Sequence, residues 1–280
     1  MKRMAKNVLI TGCNGYLARN LVSHLDNKKY KIICVGRNSD VNLYDYDKVS
    51  NAVKNSHAIV HLAAITNPYD KNIWKVNFDY TKFLAKEAKK FNKKFIYLST
   101  QNVLFGNDDY SKSKRKAEKL VKTLKNYVIL RPTIIYGKDE NKYLGRLIKL
   151  IKQSLLIPVI GNGNYRLQPI YVLDLVNIIE CCINKKIKGV YLIAGDSIIT
   201  YNHLVDLITK KLNLFRLKLH IPIFALRPSA LLFETFSSNP LITNIQLNNI
   251  QINQSYDTNS IKKIFKIKLK TIEQGLNELI

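Results

Sequence analysis

Along the first half of the chain, short β-branched and aliphatic runs alternate with segments in which apolar residues recur at helical spacing. Asn7–Thr11, Lys31–Gly36, Ala58–Ala63, Lys94–Thr100 and Tyr127–Tyr136 read as strands. Tyr16–Leu25, Tyr46–Lys54, Trp74–Phe91 and Tyr110–Leu124 read as helices, the last on the spacing of Ala117, Leu120, Val121 and Leu124. Strands that are apolar on both faces and alternate with helices predict a parallel sheet covered on both sides, a doubly wound α/β fold of Rossmann type. After about Gly137 the rhythm loosens. Helices are expected near Leu144–Ser154, Val172–Ile183 and Tyr201–Leu212, with extended pieces at Ile157–Ile160, Gln168–Tyr171 and Val190–Ala194. The expected organisation is a first, larger domain over 1–155 and a smaller lobe over 156–280, with segments of the lobe returning to the main sheet. From Leu217 onward an apolar stretch, Ile221–Phe236, precedes an Asn-rich one, Asn239–Gln254, and a lysine-rich tail. A lid, a dimer surface and a membrane-surface contact are all open readings of this region.

Composition narrows the class. At 280 residues with 46% hydrophobic and 23% charged, the chain has enough apolar material for a core and is not a disordered polymer. The longest apolar runs fall well short of the roughly 18 residues that a spanning helix needs, so no membrane span is predicted. Val8–Ile10 is too short for a signal peptide's apolar region, so export is not expected. Cys13, Cys34, Cys181 and Cys182 show no metal-ligand spacing, and reduced thiols in a cytoplasmic protein are expected. The five histidines stand at no metal-binding spacing either, and no metal is predicted. The 45 Lys+Arg against 20 Asp+Glu give a net charge of +25, but the lysines are scattered and no nucleic-acid recognition motif accompanies them. A solvated surface is the expectation, without a nucleic-acid partner.

The segment Val8–Arg19 (VLITGCNGYLAR) places Gly12 at a strand end, Gly15 three residues later and Ala18 one turn on. A strand ending this way before a helix leaves N–H groups pointing at an anion. Gly12 permits the tight turn, Gly15 admits a pyrophosphate, and Ala18 allows the helix to pack closely on the strand. Thr11, Asn14, Tyr16 and Leu17 complete the predicted dinucleotide turn. A chain that prefers NAD usually presents a carboxylate at the end of the second strand. Here Arg37 follows Gly36, which suits the 2′-phosphate of NADP(H) or is a plain surface arginine; NAD(H) stays open as the alternative cofactor.

A second constellation follows. Phe95–Thr100 ends a strand in two hydroxyls, and Tyr110–Lys114 (YSKSK) opens a helix behind Asp108 and Asp109. Tyr110 and Lys114, four residues apart, share a helix face. An ammonium beside a phenol favours phenolate and draws its pKa down from about 10, so Tyr110 could exchange a proton with a carbinol or carbonyl oxygen that Thr100 orients.

With these pieces in order, the chain resembles the extended branch of the short-chain dehydrogenase/reductase family, in particular nucleotide-sugar epimerases, dehydratases and 4-keto-reductases. The matching motifs are TGCNGYLA (11–18), HLAA (61–64), the helix containing Asn77, STQNV (99–103), YSKSK (110–114), LRPTIIYG (130–137) and QPIYVLDLV (168–176), with YDTNSIKKIF and TIEQGL near the end. The resemblance implies that Thr100, Tyr110 and Lys114 form the catalytic trio, Lys114 also holding the nicotinamide ribose. It implies that Asn42 and Leu43 lie near adenine, that Ala63 and Ala64 line the cofactor, and that Pro132–Ile135 lie near nicotinamide. Arg166, Gln168 and Arg227 become candidates for the substrate's diphosphate, or equally surface and lobe-packing residues.

Three departures shape the expectation. Dehydratases of this family follow the catalytic Thr with Asp and Glu, whereas Gln101 and Asn102 stand here, and neutral amides cannot supply the acid and base for water elimination. The loop between Thr100 and Tyr110 is shorter than the family's usual substrate-facing loop, and Ala18 replaces the third glycine. Reduction of a nucleotide-activated 4-keto sugar with NADPH is the leading expectation, in a pathway to cell-surface polysaccharide precursors. A 4-epimerase holding NAD, a non-catalytic NADP(H)-binding scaffold and a homodimer are the other readings.

Overall fold

The computed structural model describes residues 5–37, 39, 41–228, 244, 247 and 252–280. The chain divides into two compact units, Met1–Pro132 with Val172–Ile193, and Thr133–Tyr171 with Ala194–Ile280. The units are thus interleaved along the chain rather than divided near 155.

The first unit contains β1 (Lys6–Thr11), α1 (Tyr16–His24), β2 (Tyr30–Gly36), β3 (Val41–Asn42), α2 (Tyr46–Lys54), β4 (Ala58–His61), α3 (Tyr80–Lys90), β5 (Lys94–Leu98), α4 (Asp109–Val121), β6 (Tyr127–Pro132), α6 (Val172–Asn184) and β11 (Gly189–Ile193). Its seven strands form one sheet in the order β11-β6-β5-β4-β1-β2-β3, every pairing parallel. Leu9, Ile59, Phe95, Tyr97 and Ile129 from its inner strands are fully buried and meet Val49, Val53, Leu84 and Val121 from α2, α3 and α4. Such strands read as unbroken apolar runs because helices cover both faces. The chain winds outward from β1 in one direction through β2 and β3, and from β4 in the other. The carboxyl ends of β1 and β4, with Thr11 opposite His61, therefore flank the switch point where ligands of such sheets bind.

The second unit holds β7 (Ile135–Tyr136), α5 (Leu144–Gln153), β8 (Leu156–Ile160), β9 (Arg166–Leu167), β10 (Ile170–Tyr171), β12 (Ile199–Thr200), α7 (Tyr201–Lys211), β13 (Leu217–Ile221), α8 (Asn259–Phe265) and α9 (Ile272–Asn277). Its strands pair two by two, β7 with β10, β9 with β12, and β8 with β13.

Three expectations are corrected here. The strand predicted over Tyr127–Tyr136 is two strands in different sheets, because Pro132 has no N–H to continue the ladder. The helix predicted over Trp74–Phe91 starts with a π-helical turn, Lys75–Asp79, before α3. A disulfide joins Cys13 to Cys34, their Cα atoms 5.9 Å apart, where reduced thiols were expected. The pairing follows from register: Ile10 lies opposite Cys34, so the turn after β1 folds back beside β2, a proximity that 21 residues of separation do not reveal. Most of the apolar and Asn-rich stretch after Pro228 lies outside the described residues, and among the described residues no helix is long and apolar enough to cross a membrane.

Candidate active site

The turn after β1 is built around Gly12, whose N–H donates to Val35 O at 2.9 Å and whose O accepts from Gly15 N at 2.8 Å. Gly12 has φ +73°, and a Cβ there would stand 2.8 Å from the Ala63 Cα, so the β1 turn and the chain leaving β4 touch backbone to backbone. Gly15 is the N-cap of α1 and offers its helix no side-chain cap, unlike Asp45 on α2 and Asp108 on α4, which each accept a backbone N–H of the first turn. A Cβ at Gly15 would meet only Gly12 O, at 3.1 Å, and otherwise open space. A helix N-terminus without a side-chain cap, behind two glycines, fits a pyrophosphate. Leu17 and Ala18 are buried against the sheet, while Asn14 is exposed and Tyr16 half-buried. Arg37 is exposed in the turn after β2, and Asn42 on β3 is exposed next to buried Leu43, whose N–H donates to Gly36 O. This edge offers a cation and an amide at the far end of the turn.

Beneath the turn runs a closed chain of buried hydrogen bonds that the sequence did not disclose. Thr11 Oγ1 accepts the Leu62 and Ala63 N–H groups, both at 3.1 Å, and lies 2.7 Å from His61 Nδ1. His61 Nε2 lies 2.8 Å from Thr81 Oγ1, which donates to Asn77 O. The Thr81 proton is thereby committed, so Nε2–H donates to Thr81 and Nδ1 receives the Thr11 hydroxyl proton. This requires a neutral ring, and burial, aided by the nearby Lys114 charge, holds the His61 pKa well below the usual histidine range. Asn77, inside the π-helical turn, accepts Ile65 N–H at 2.8 Å and donates to Ile65 O at 2.9 Å and Ser113 Oγ at 3.2 Å. It ties the chain leaving β4, where half-buried Ala63 and Ala64 sit, to α4. In the sequence His61 and Asn77 stood only as members of the HLAA motif and of the helix that follows it.

The hydroxyl–phenol–amine group stands at the end of β5 and the start of α4. Thr100 is buried, and its Oγ1 accepts the Asn102 N–H at 3.2 Å, capping a 3-10 turn over Gln101–Leu104. The short loop to Tyr110 is wired down: Arg115 donates to Val103 O and Gly106 O at 2.8 and 2.7 Å, and Asp108 caps α4 through Ser111 N at 2.7 Å. Lys114 is 2% exposed; its Nζ donates to Leu98 O at 2.8 Å and lies over the Tyr97 ring at 4.6 Å. The lysine is thus docked at the end of β5, two residues before Thr100, with Tyr110 one helical turn earlier. Burial lowers its pKa to about 7, and Glu118 opposes the shift only partly. Ser99 Oγ and Gln101 Oε1, on either side of Thr100, are buried and have no hydrogen-bond partner among the described residues.

The remaining candidates are distributed over both units. Pro132 is buried at the end of β6 in the first unit, and Ile135 is half-buried on β7 in the second. Arg166 is exposed, its N–H donating to Asn253 Oδ1 at 3.0 Å. Gln168 is 2% exposed, and its amide is engaged by backbone: Nε2 donates to Gly195 O and Tyr256 O at 2.8 and 3.0 Å, and Oε1 accepts Tyr256 N–H at 2.7 Å. Arg227 is exposed, close to the end of the continuously described chain.

Comparison with known proteins bears on the family and the fold. The family described as the RmlD substrate binding domain matches residues 6–229. A UDP-glucose 4-epimerase of Vibrio cholerae is 26% identical over 274 residues, covering 83% of this chain and 84% of that enzyme. A UDP-2-acetamido-2,6-beta-L-arabino-hexul-4-ose reductase of Pseudomonas aeruginosa is 24% identical over 180 residues, 60% of this chain and 47% of that enzyme. Among solved structures, the dTDP-4-dehydrorhamnose reductase of Bacillus anthracis in complex with NADP has a TM-score of 0.70 at 24% identity, covering 79% of this chain and 86% of that one. The Thermotoga maritima UDP-glucose 4-epimerase with UDP-glucose has a TM-score of 0.76 at 18% identity, covering 97% and 96%. With the RmlD substrate binding domain matched over most of its length and a Rossmann-type sheet, the chain belongs to the extended short-chain dehydrogenase/reductase family.

Proposed function

We propose that the protein is a reductase of nucleotide-activated 4-keto sugars that uses NADPH. The observation that carries this reading is the buried Lys114, docked at the end of β5 on the helix that presents Tyr110. The turn at Gly12 and Gly15 would hold the pyrophosphate, with Thr11, Asn14, Tyr16 and Leu17 around it, Asn42 and Leu43 at the adenine end, Ala63 and Ala64 along the cofactor, and Pro132 and Ile135 toward nicotinamide. Arg37 would receive the 2′-phosphate, and its fork geometry favours NADP(H) over NAD(H). When bound, the reduced nicotinamide supplies a hydride to the sugar's C4.

The chain's own residues handle the proton. Thr100 Oγ1 uses a lone pair on Asn102 N–H, which leaves its hydroxyl proton to hold the C4 oxygen. Tyr110 delivers a proton to that oxygen, and the phenolate it leaves is stabilised by Lys114, whose affinity for a proton is balanced near neutral pH by burial. Gln101 and Asn102 carry no acid or base, so the site reduces without eliminating water. Arg166 would contact the substrate diphosphate.

The test is NADPH oxidation by the full chain with UDP- and dTDP-linked 4-keto-6-deoxy sugars. Tyr110→Phe is expected to lower kcat by about 100-fold or more with unchanged circular dichroism and NADPH affinity. Wild-type protein that binds NADPH yet turns over none of these substrates would overturn the reading in favour of a scaffold. The Vibrio cholerae relative, matched over 83% of this chain, favours a second reading, a 4-epimerase. Mass spectrometry of the ligand released on denaturation separates the two: NAD retained through purification, with UDP-hexose interconversion and no net cofactor consumption, identifies the epimerase.

A further inference from the structure

The second unit carries an apolar surface that the proposed chemistry does not use. In β8, Ile157 and Val159 are fully buried while Leu156 and Pro158 face outward. The parallel register sets Leu217 opposite Leu156 and Leu219 opposite Pro158, so both strands turn leucine and proline outward on one face of a two-stranded ribbon. Among the described residues, ten Leu, Ile and Phe side chains are strongly exposed, and six of them, Leu155, Leu156, Phe215, Leu217, Leu219 and Phe224, lie on this ribbon or next to it in the chain. Phe215 and Phe224 are 74% and 77% exposed, extreme values for phenylalanine. Soluble proteins scatter such residues singly, and a contiguous set marks a docking face.

Charge identifies what docks there. Residues 144–160 and 201–228, which contain both strands and the helices leading into them, hold eight Lys and Arg against a single acid, Asp206, which pairs with Lys218 at 2.7 Å. Lys149 and Lys152 on α5 and Lys210 at the end of α7 are exposed, as is Arg227 beyond β13. A second copy would bring the same cations onto the same face, and the chain as a whole carries +25, so self-association here is opposed by like-charge repulsion. A nucleic acid would be drawn to the cations but gains nothing from exposed leucines and phenylalanines. An anionic bilayer satisfies both features, its headgroups neutralising the basic rim while the apolar side chains enter the interfacial region. We propose that the outer face of the β8–β13 ribbon, with Phe215 and Phe224, seats the protein on an anionic phospholipid surface without spanning it.

Flotation of the full chain with vesicles of phosphatidylcholine alone, or mixed in equal parts with phosphatidylglycerol, tests this. The expected result is partition at least about tenfold stronger onto the mixed vesicles, weakened by salt. Leu217→Asp combined with Leu219→Asp reduces it to the level seen on neutral vesicles while the melting curve is retained. In a second measurement, Phe224→Trp shifts its emission to the blue with mixed vesicles and is quenched by brominated acyl chains, with the wild-type signal of Trp74 subtracted. Absence of wild-type binding overturns the proposal. So does wild-type binding by the double Asp variant, which would be adsorption of a basic protein as to any polyanion. An unmoved Trp emission, or a dimer that the Asp substitutions dissociate, overturns it as well.

Discussion

Gly12 and Gly15 lie three residues apart and answer to different demands. Gly12 sits at φ +73° against the Ala63 backbone, so Gly12→Ala adds left-handed strain and a 2.8 Å clash; it is expected to cost at least about 2 kcal/mol in chemical denaturation. Gly15 has ordinary backbone angles and a Cβ there would press only on Gly12 O at 3.1 Å, so Gly15→Ala should cost less than Gly12→Ala, about 1 kcal/mol. Its effect appears in binding, with the NADPH dissociation constant rising by about tenfold or more because the methyl occupies the pyrophosphate's place. A stability loss at 15 equal to that at 12 would refute this division of labour. Both glycines were legible in the sequence, since a turn demands glycine locally. His61 and Asn77 were legible only as letters in familiar motifs, because their partners lie 50 and 12 residues away.

At the scale of elements, the position of Tyr110 and Lys114 depends on how α4 is held to the sheet. Arg131 of β6 forms a two-pronged pair with Glu118 of α4 at 2.8 and 2.5 Å, and the Glu118 side chain is 2% exposed. Arg131→Met leaves a buried carboxylate without its cation and is expected to cost about 3 kcal/mol, measured by urea unfolding. Arg131→Lys should recover only part, since an ammonium cannot reproduce the two parallel bonds. A loss below about 1 kcal/mol for Arg131→Met would mean that the pair behaves as a solvated one. The helix itself was read from the spacing of its apolar residues. The ion pair fixing it was not, because Arg131 and Glu118 lie 13 residues apart and meet only once the strand is paired.

For the whole molecule, two buried bases make stability depend on pH in one direction. The folded chain releases the Lys114 proton near pH 7, whereas the unfolded chain keeps it to the ordinary value of 10.5. Between these the unfolded state binds more protons, so stability rises with pH across that window and Lys114 contributes no slope below it. His61 acts with the same sign lower down: the folded ring refuses a proton that the unfolded one takes below 6.5, so stability falls as acid is added below that value. The apo-protein melting temperature is therefore expected to rise from pH 7 toward pH 9, above which the buried Cys182 thiol, its pKa pushed up to about 12, opposes the rise, and Lys114→Met to flatten that rise while leaving the acid limb in place. A slope unchanged in Lys114→Met would assign it to the surface lysines instead. The sequence by itself determined the parallel α/β class, the glycine turn after β1 and the placement of Tyr110 and Lys114 one helical turn apart on α4, because hydrophobic period, turn chemistry and helical spacing all act over a few residues. Only the tertiary structure decided the Thr11–His61–Thr81 chain, the Cys13–Cys34 bond, the interleaving of the two units and the outward leucines of β8 and β13, because each arises from strand register between segments that the sequence keeps apart.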